Sequence, residues 1–233
     1  MSDRLNEIVE ALQLQGLLLR GGFLLDPETD KTLLDRFPDA RQLLLIGNAG
    51  STIWPHLKRF LTGNPTVSDP LDHWTAAVLN KIAGGIDATA LFPFGSAPWW
   101  PFQQWARRAD TVSPSPLAIL IHPTYGLWHA YRGALLLRSA IELPLPTPAP
   151  SPCDTCRDKP CLRTCPVAAF SPGGYDVDGC AAHVNSAAGL DCQRRGCLAR
   201  LACPVGPEYR YESEHAVFHM AAFRRSHPIT AGQ

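Results

Sequence analysis

The first 152 residues of this 233-residue chain contain no cysteine, and all eight cysteines lie between Cys153 and Cys203. The sequence also lacks an excess of charge of either sign, because 21 basic residues balance 21 acidic ones. A neutral chain offers no long-range electrostatic attraction to nucleic acid or to an anionic membrane surface. We therefore expect neither as a partner.

Long apolar runs are missing too. The longest, such as residues 43–46 and 135–137, fall far short of the roughly 20 residues that a membrane-spanning helix needs. The N-terminal segment carries Asp3, Glu7 and Glu10, which is unlike the basic start and continuous apolar core of a secretory signal. The sequence therefore predicts a cytoplasmic protein.

Helical and strand patterns are mixed along residues 1–142. Apolar spacing and capping residues predict helices that begin near Asp3, Thr52 and Pro70. Apolar runs predict strands over residues 17–25, 41–46, 117–121 and 128–137. This mixture predicts an α/β (α+β) domain.

Proline occupies every second position from 144 to 152. Such a run favours an extended polyproline II backbone, which behaves as a semi-rigid spacer. Residues 143–152 are therefore predicted to be a linker between the first domain and a second domain over residues 153–233.

The cysteines form two groups, and each group ends in a Cys-Pro step. The first is Cys153, Cys156, Cys161 and Cys165, and the second is Cys180, Cys192, Cys197 and Cys203. In the bacterial ferredoxin pattern, three closely spaced thiolates hold one 4Fe-4S cluster and the fourth, followed by Pro, ligates the other cluster. Applied here, this pattern predicts two 4Fe-4S clusters with crossed ligands in a small ferredoxin-like domain. One cluster takes Cys153, Cys156, Cys161 and Cys203, and the other takes Cys165, Cys180, Cys192 and Cys197.

Two other interpretations of the cysteines remain open. Four disulfides need an oxidising compartment, which no export signal supports. Two structural zinc sites of four thiolates each are the second alternative, because a C-x2-C pair such as Cys153 and Cys156 also suits tetrahedral zinc.

An α/β domain, a Pro-rich joint and eight cysteines in this order resemble the cobalamin-dependent epoxyqueuosine reductases and reductive dehalogenases. Residues 121–133, I-H-P-T-Y-G-L-W-H-A-Y-R-G, also resemble the I-H-P-x-x-G-x-W-x-A-x-R-G stretch of the cobalamin-processing CblC family. The resemblance implies a nitroreductase/CblC-like fold for the first domain.

The resemblance also implies a corrinoid, or else a flavin, as a possible cofactor of the first domain. Its predicted binding residues are His122, Tyr125, Gly126, Trp128, Tyr131 and Arg132. We expect residues 122–126 to line a cofactor-sized pocket with some of Trp99, Trp100, Trp128 and Tyr131. From the residues alone, His122 could equally be a loop histidine bonded to backbone and Arg132 a solvated strand arginine.

The main functional prediction is an iron-sulfur electron-transfer protein with two 4Fe-4S clusters. It would pass electrons to a redox partner protein or to a cofactor in its own first domain. A corrinoid-dependent or flavin-dependent reductase or cobalamin-processing protein is the alternative, and a structural zinc protein is another. If the chain is an enzyme, it is an oxidoreductase.

Overall fold

A computed structural model describes residues 3–228 of the chain. The protein divides into two compact units. The first unit consists of residues 1–111 and 130–148, and the second of residues 112–129 and 149–233. No helix in the described part of the chain is long and apolar enough to cross a membrane.

The first unit is a mixed α/β structure built on one four-stranded sheet. Its helices are α1 (Asp3–Gln13), α2 (Lys31–Arg36), α3 (Trp54–Gly63), α4 (Pro70–Gly85) and α5 (Phe102–Ala109). Its strands are β1 (Leu18–Leu24), β2 (Gln42–Ala49), β3 (Ala88–Leu91) and β6 (His129–Leu137). Two short strands of the second unit, β4 (Ser113–Pro114) and β5 (Leu120–Ile121), come before β6 in the chain.

The strand order in the sheet is β1-β2-β6-β3, and the β1–β2 and β3–β6 pairs are antiparallel. All eight residues of β2 are buried. Side chains of a strand alternate between the two faces of its sheet, so both faces are covered at β2. Helices α1 and α5 pack against β1, and α4 packs against β3.

The second unit consists mainly of short helices around the cysteines. They are α6 (Pro152–Thr155), α7 (Pro160–Arg163), α8 (Val177–Asn185), α9 (Leu190–Arg195), α10 (Leu198–Leu201) and α11 (Ser213–Ser226). The strands β7 (Phe170–Ser171) and β8 (Gly174–Tyr175) form a tight hairpin between α7 and α8. Helix α11 packs against α9 and α8.

Most of the elements predicted for residues 1–142 are present, but residues 117–121 differ from the prediction. Only Leu120–Ile121 forms a strand, paired with Ser113–Pro114. Ser115 and Ile119 close a turn, with a 3.0 Å hydrogen bond from the Ser115 N–H to the Ile119 carbonyl oxygen, and Ala118 within it has a φ of 58°. The apolar run therefore bends where the sequence pattern predicted an extended strand.

The compact units also divide the chain differently from the predicted linear boundary. Residues 112–129 belong to the second unit because Leu117, Ile121 and Leu127 are buried against Cys161 and Cys203. The start of the Pro-rich segment belongs to the first unit, where the Thr111 hydroxyl donates a 2.9 Å hydrogen bond to the Thr147 carbonyl. The chain thus passes from one unit to the other three times.

A buried polar network connects three elements of the first unit. The guanidinium of Arg20 on β1 lies 2.6 Å from the carboxylate of Asp110, just after α5, with side-chain exposures of 2% and 9%. The Tyr131 hydroxyl on β6 donates a 2.9 Å hydrogen bond to the same carboxylate. Burial raises the pKa of Tyr131, so its hydroxyl stays protonated and remains a donor.

We expect Asp110→Asn to lower the free energy of unfolding of the first unit by about 3–5 kcal/mol, because it leaves the buried Arg20 charge uncompensated. Tyr131→Phe removes one hydrogen bond to a charged group and should cost about 1.5 kcal/mol. Urea unfolding measures both changes. Asp35→Asn, which removes an exposed pair with Lys31, is the control and should change the stability little. Equal small effects from all three variants would contradict this account of the network.

Candidate functional site

All eight cysteines are free thiols held by short helices and tight turns. Around the first cysteines, Ser151 caps α6 by accepting a 3.3 Å hydrogen bond from the Cys153 N–H. Pro152 and Pro160 occupy the first turns of α6 and α7, where a missing N–H costs nothing. Each helix is about one turn long, so the backbone changes direction repeatedly between successive thiols.

Mutual charge effects identify a first set of four cysteines. Burial, followed by the negative charges of Cys203, Cys161 and Cys156, raises the pKa of Cys153. Burial and then Cys203 and Cys156 raise the pKa of Cys161. Burial raises the pKa of Cys203, and Cys156 adds to the effect. Cys203, far along the chain, therefore lies with the first three cysteines.

The other four cysteines form a second set in the same way. Burial and then Cys165 raise the pKa of Cys180. Burial raises the pKa values of Cys192 and Cys197 most, and Cys180 and Cys165 raise both further. In both sets, every cysteine that raises the pKa of another is a member of the same set. These sets are those of the crossed assignment made from the sequence, while ligation of iron stays a prediction.

Hydrogen-bond donors surround the sulfur atoms. The Ala169 N–H donates to Cys165 Sγ over 3.4 Å. Nearby backbone N–H groups lower the thiol pKa values of Cys161, Cys192, Cys197 and Cys203, against the larger effect of burial. The Tyr175 hydroxyl is hydrogen-bonded to Cys180. Such donors stabilise negative charge on sulfur and tune a metal centre.

The thiols of the first set share one pocket with apolar residues. All four of these cysteines line it, together with Leu117, Ile121, Leu127 and Val205. Within residues 3–228, no group of three or more His, Cys, Asp or Glu side chains is arranged to hold a single metal ion. The thiolates of a cubane bind different iron atoms and need not converge on one point. The donor chemistry of both sets therefore fits 4Fe-4S clusters.

The turn at residues 122–126 packs directly against the segment that follows Cys203. Gly126 has a φ of 58°, and a Cβ atom there would lie 2.0 Å from the Val205 carbonyl oxygen. Gly206 has a φ of 62°, and a Cβ atom there would lie 2.6 Å from the carbonyl carbon of Tyr125. Only glycine permits this approach of two backbones.

His122 stabilises the same turn. Its Nδ1 accepts hydrogen bonds of 3.0 and 3.2 Å from the N–H groups of Thr124 and Tyr125. The imidazole also stacks on the Tyr125 ring, with 4.5 Å between centroids. Nδ1 is therefore an acceptor. In the neutral imidazole, the ring proton is then on Nε2.

Trp128 is buried within the second unit, where it contacts the loop of the second cysteine set. The Arg200 guanidinium lies 4.4 and 4.6 Å from the ring centroids of Trp128 and Tyr211, and these two rings contact each other edge to face with 5.4 Å between centroids. Arg200 Nε donates a 2.9 Å hydrogen bond to the Leu127 carbonyl, and the Arg200 backbone N–H donates to Cys197. One arginine thus connects the I-H-P segment to a predicted cluster ligand.

Tyr131 and Arg132, the remaining predicted cofactor residues, belong to the first unit. Arg132 Nε donates a 3.2 Å hydrogen bond to the buried Asn48 Oδ1 at the end of β2. Asp72, in the first turn of α4, is also close to Arg132, yet burial raises the pKa of its carboxyl group against the influence of the arginine. A half-buried acid next to a cation can hold a proton at higher pH than an exposed aspartate.

Trp99 and Trp100 lie in a different pocket of the first unit. They line it together with Asp30, Leu33 and Trp105. Trp100 stacks on Trp105 with 6.0 Å between ring centroids, and Trp99 is 69% exposed. Neither the 122–126 turn nor Tyr131 is part of this lining, so this pocket differs from the one that the sequence predicted.

Sequence reasoning did not single out Asn48, Asp72 or Arg200. Asn48 lies two residues after the predicted strand over residues 41–46, where a polar side chain following a buried run is a usable signal. Asp72 follows a predicted helix start, where an acidic residue is ordinary. Arg200 lies between two predicted ligands, but no local pattern indicates its contact with Trp128.

Known proteins with similar structures are of two kinds. The chain aligns with an epoxyqueuosine reductase from Streptococcus thermophilus with a TM-score of 0.52 and 16% identity, covering 88% of this chain and 66% of the other. It aligns with the B12-trafficking protein CblC from C. elegans with a TM-score of 0.54 and 13% identity, covering 99% of both chains. The chain shares their fold. No protein-family model and no curated protein matches the sequence.

A second epoxyqueuosine reductase structure, of selenomethionine-labelled protein, gives a TM-score of 0.50 and 15% identity over 91% of this chain and 68% of the other. The mixed α/β prediction is therefore confirmed, and so is the relation of the fold to these two kinds of protein. At this identity the similarity describes the fold alone, and the ferredoxin-like character of the cysteine unit stays a prediction.

We expect Gly126→Ala to destabilise the second unit by more than the roughly 1–2 kcal/mol that a left-handed non-glycine residue costs, because the new methyl group also meets Val205. Gly174→Ala is the matched control, since Gly174 has a φ of 120° but a Cβ atom there would have no neighbour within 4 Å. Thermal unfolding monitored by circular dichroism compares the two variants. A loss no larger for Gly126→Ala than for Gly174→Ala would show that the backbone contact contributes nothing.

Proposed function

We propose that this chain is an iron-sulfur oxidoreductase that carries two 4Fe-4S clusters and delivers electrons to a corrinoid. The observation that carries the proposal is the separation of eight free thiols into two sets of four, each combining cysteines distant in sequence. The likeness in fold to an epoxyqueuosine reductase and to a B12-trafficking protein supports the corrinoid part.

The electrostatics of the thiols support the cluster assignment. Within each set, burial and neighbouring thiolates oppose ionisation, so four thiolates at one place need a compensating positive charge. Bridged iron supplies that charge, and soft thiolates are the ligands it prefers. When bound, the clusters supply one-electron transfer. The chain's own N–H and hydroxyl donors hold the sulfur atoms in place and stabilise their negative charge.

Residues of the first unit support binding of an anionic or amide-bearing cofactor. Arg132, oriented by Asn48, is a fixed cation that suits a phosphate or a carboxylate. Asp72 beside it is the group we assign to hold and release a proton on its carboxyl oxygen, since burial raises its pKa. Flavin is the second candidate cofactor.

We expect anaerobically prepared protein to contain about eight iron and eight sulfide per chain, as two cubanes require. Its broad visible absorbance should bleach on reduction. Stoichiometric zinc without iron would instead favour the structural zinc alternative and overturn the proposal.

The crossed sets predict which cluster each cysteine serves. Cys203→Ser should disturb the cluster held by Cys153, Cys156 and Cys161, whereas Cys165→Ser should disturb the one held by Cys180, Cys192 and Cys197. Electron paramagnetic resonance of each reduced variant shows which of the two cluster signals remains. The matched controls are Cys161→Ser, which should give the same spectrum as Cys203→Ser, and Cys192→Ser, which should give the same spectrum as Cys165→Ser. The opposite correspondence would show sequential ligation.

The corrinoid assignment predicts saturable binding of cob(II)alamin, observed as a spectral shift and a higher melting temperature. Arg132→Ala should weaken binding by roughly tenfold or more, as the loss of a charge-assisted hydrogen bond implies. Arg138→Ala, an exposed arginine just after the same strand, should bind like the unaltered protein. Flavin in place of cobalamin is titrated in parallel. Saturation by neither ligand would leave electron transfer to a separate partner as the function.

A further inference from the structure

Two helices of the cysteine unit end in paired arginines. Arg194 and Arg195 form the last turn of α9, and Arg224 and Arg225 lie in the last turn of α11. The two helices are in contact. The Arg224 guanidinium donates hydrogen bonds to Gln193 Oε1 on α9 at 3.3 Å and to Asn185 Oδ1 on α8 at 3.2 Å, and Gly196, directly after α9, lies near Ala216 in the first half of α11. We call these four arginines the arginine surface.

The arginine surface is open to solvent, and three of its arginines form no salt bridge. All four arginines are exposed. Arg194, Arg195 and Arg225 form no salt bridge with any residue from 3 to 228. Arginine at a helix C-terminus complements the helix dipole, which explains one cation at each end. It does not explain why each of these two packed helices carries two adjacent arginines.

The position of the arginine surface connects it to the second cysteine set. Arg194 and Arg195 are the central residues of the short segment between Cys192 and Cys197, and both cysteines belong to that set. A partner that covers these arginines therefore lies next to the loop that supplies two of the four predicted ligands. Electron transfer between proteins needs such close approach of the two redox centres.

The corresponding loop of the first set has a different charge pattern. Asp154 and Asp158 alternate there with Arg157, Lys159 and Arg163, and Arg163 lies 3.5 Å from the Asp158 carboxylate. Opposite charges are thus interspersed around the first set. Near the second set, Asp191 lies directly before Cys192, but the segment between Cys192 and Cys197 carries only the two arginines. An anionic partner is therefore attracted to that segment.

Apolar groups adjoin the arginines. An open depression is lined by Ala221, Arg224, Arg225, Asn185 and Pro228. Val217, one turn before Ala221 on α11, is 43% exposed. Leu190, at the start of α9, is 46% exposed. Interfaces between proteins combine apolar contact with Arg in this way, whereas nucleic-acid surfaces are more uniformly basic. The zero net charge of the chain also favours a protein partner.

We propose that the arginine surface is the docking site of a small acidic redox protein of the flavodoxin or ferredoxin type, which exchanges electrons with the second cluster. The inference rests on the proposed function, because it assumes that the second cysteine set holds a cluster. One electron leaves the reduced donor and one enters the cluster, so no bond is formed and no proton is required.

The test measures binding on protein that contains its clusters. A fluorescently labelled acidic flavodoxin is titrated with this protein at low and at high ionic strength, and anisotropy gives the dissociation constant. We expect binding to weaken with salt, and Arg194→Glu combined with Arg195→Glu to weaken it by about tenfold or more at low salt. Arg224 is left unchanged because it also joins α8, α9 and α11.

The matched comparison is Arg195→Glu against Arg157→Glu. Both replace an exposed arginine in a cysteine loop and change the net charge equally, but Arg157 follows Cys156 of the first set. Only Arg195→Glu should weaken binding substantially. Hydrogen exchange should show protection of residues 190–195 and 219–226 by flavodoxin. Equal losses in both variants, salt-independent binding or protection elsewhere would overturn the proposal.

Iron content measured on the same samples separates the two proposals. Protein that holds iron but does not bind flavodoxin retains the proposed function and loses the docking site. Protein that binds flavodoxin but contains no iron loses the proposed function. Binding of transfer RNA is measured in parallel. If the Arg194, Arg195 double variant loses salt-dependent binding of transfer RNA but keeps binding of flavodoxin, the surface belongs to nucleic acid and the docking proposal is overturned.

Discussion

The arrangement of the cysteine unit depends on a contact between two stretches of backbone. The turn containing Tyr125 and Gly126 meets the stretch containing Val205 and Gly206 so closely that neither glycine can carry a side chain. The second stretch begins directly after Cys203-Pro204. Because the turn is itself fixed by His122, the contact determines where the last cysteine of the chain can lie.

This contact gives the I-H-P segment, residues 121–133, a structural role. Its resemblance to the CblC stretch predicted that its residues line a cofactor pocket, whereas several of these residues hold the cysteine-bearing loops of the second unit in place. His122 stabilises the turn, Gly126 permits the backbone contact, and Trp128 packs on Arg200. A residue can both support a site and touch its ligand. Substitutions of Trp128 therefore affect the cysteine unit as well as any cofactor, which is why Arg132 is the better probe of binding.

Some features were predictable because their signals are local. The helix beginning near Asp3 and the buried run at residues 41–46 follow from apolar spacing and capping residues alone, and the structure contains both. The grouping of Cys203 with the first three cysteines could be inferred because Cys-Pro steps carry the crossing pattern. Other features depend on partners distant in sequence. Leu117 and Ile121 are buried against Cys161 and Cys203. From the sequence alone, the apolar run that contains them is indistinguishable from a buried strand.

Charge links the candidate site to its surroundings. Within each cysteine set, burial and the neighbouring thiolates oppose ionisation of the thiols. Under the proposed function, the positive charge of bridged iron offsets this effect, and the Ala169 N–H is a donor to Cys165 Sγ. A centre of four thiolates that gains an electron becomes more negative, and positive groups nearby favour that state. The Arg200 guanidinium contacts the Trp128 and Tyr211 rings and donates to the Leu127 carbonyl, so it fixes α10 on the I-H-P segment. Arg194 and Arg195 provide exposed positive charge in the segment between Cys192 and Cys197. Under the two proposals, the same exposed positive charge would favour the reduced state of the second cluster and attract an anionic donor to it.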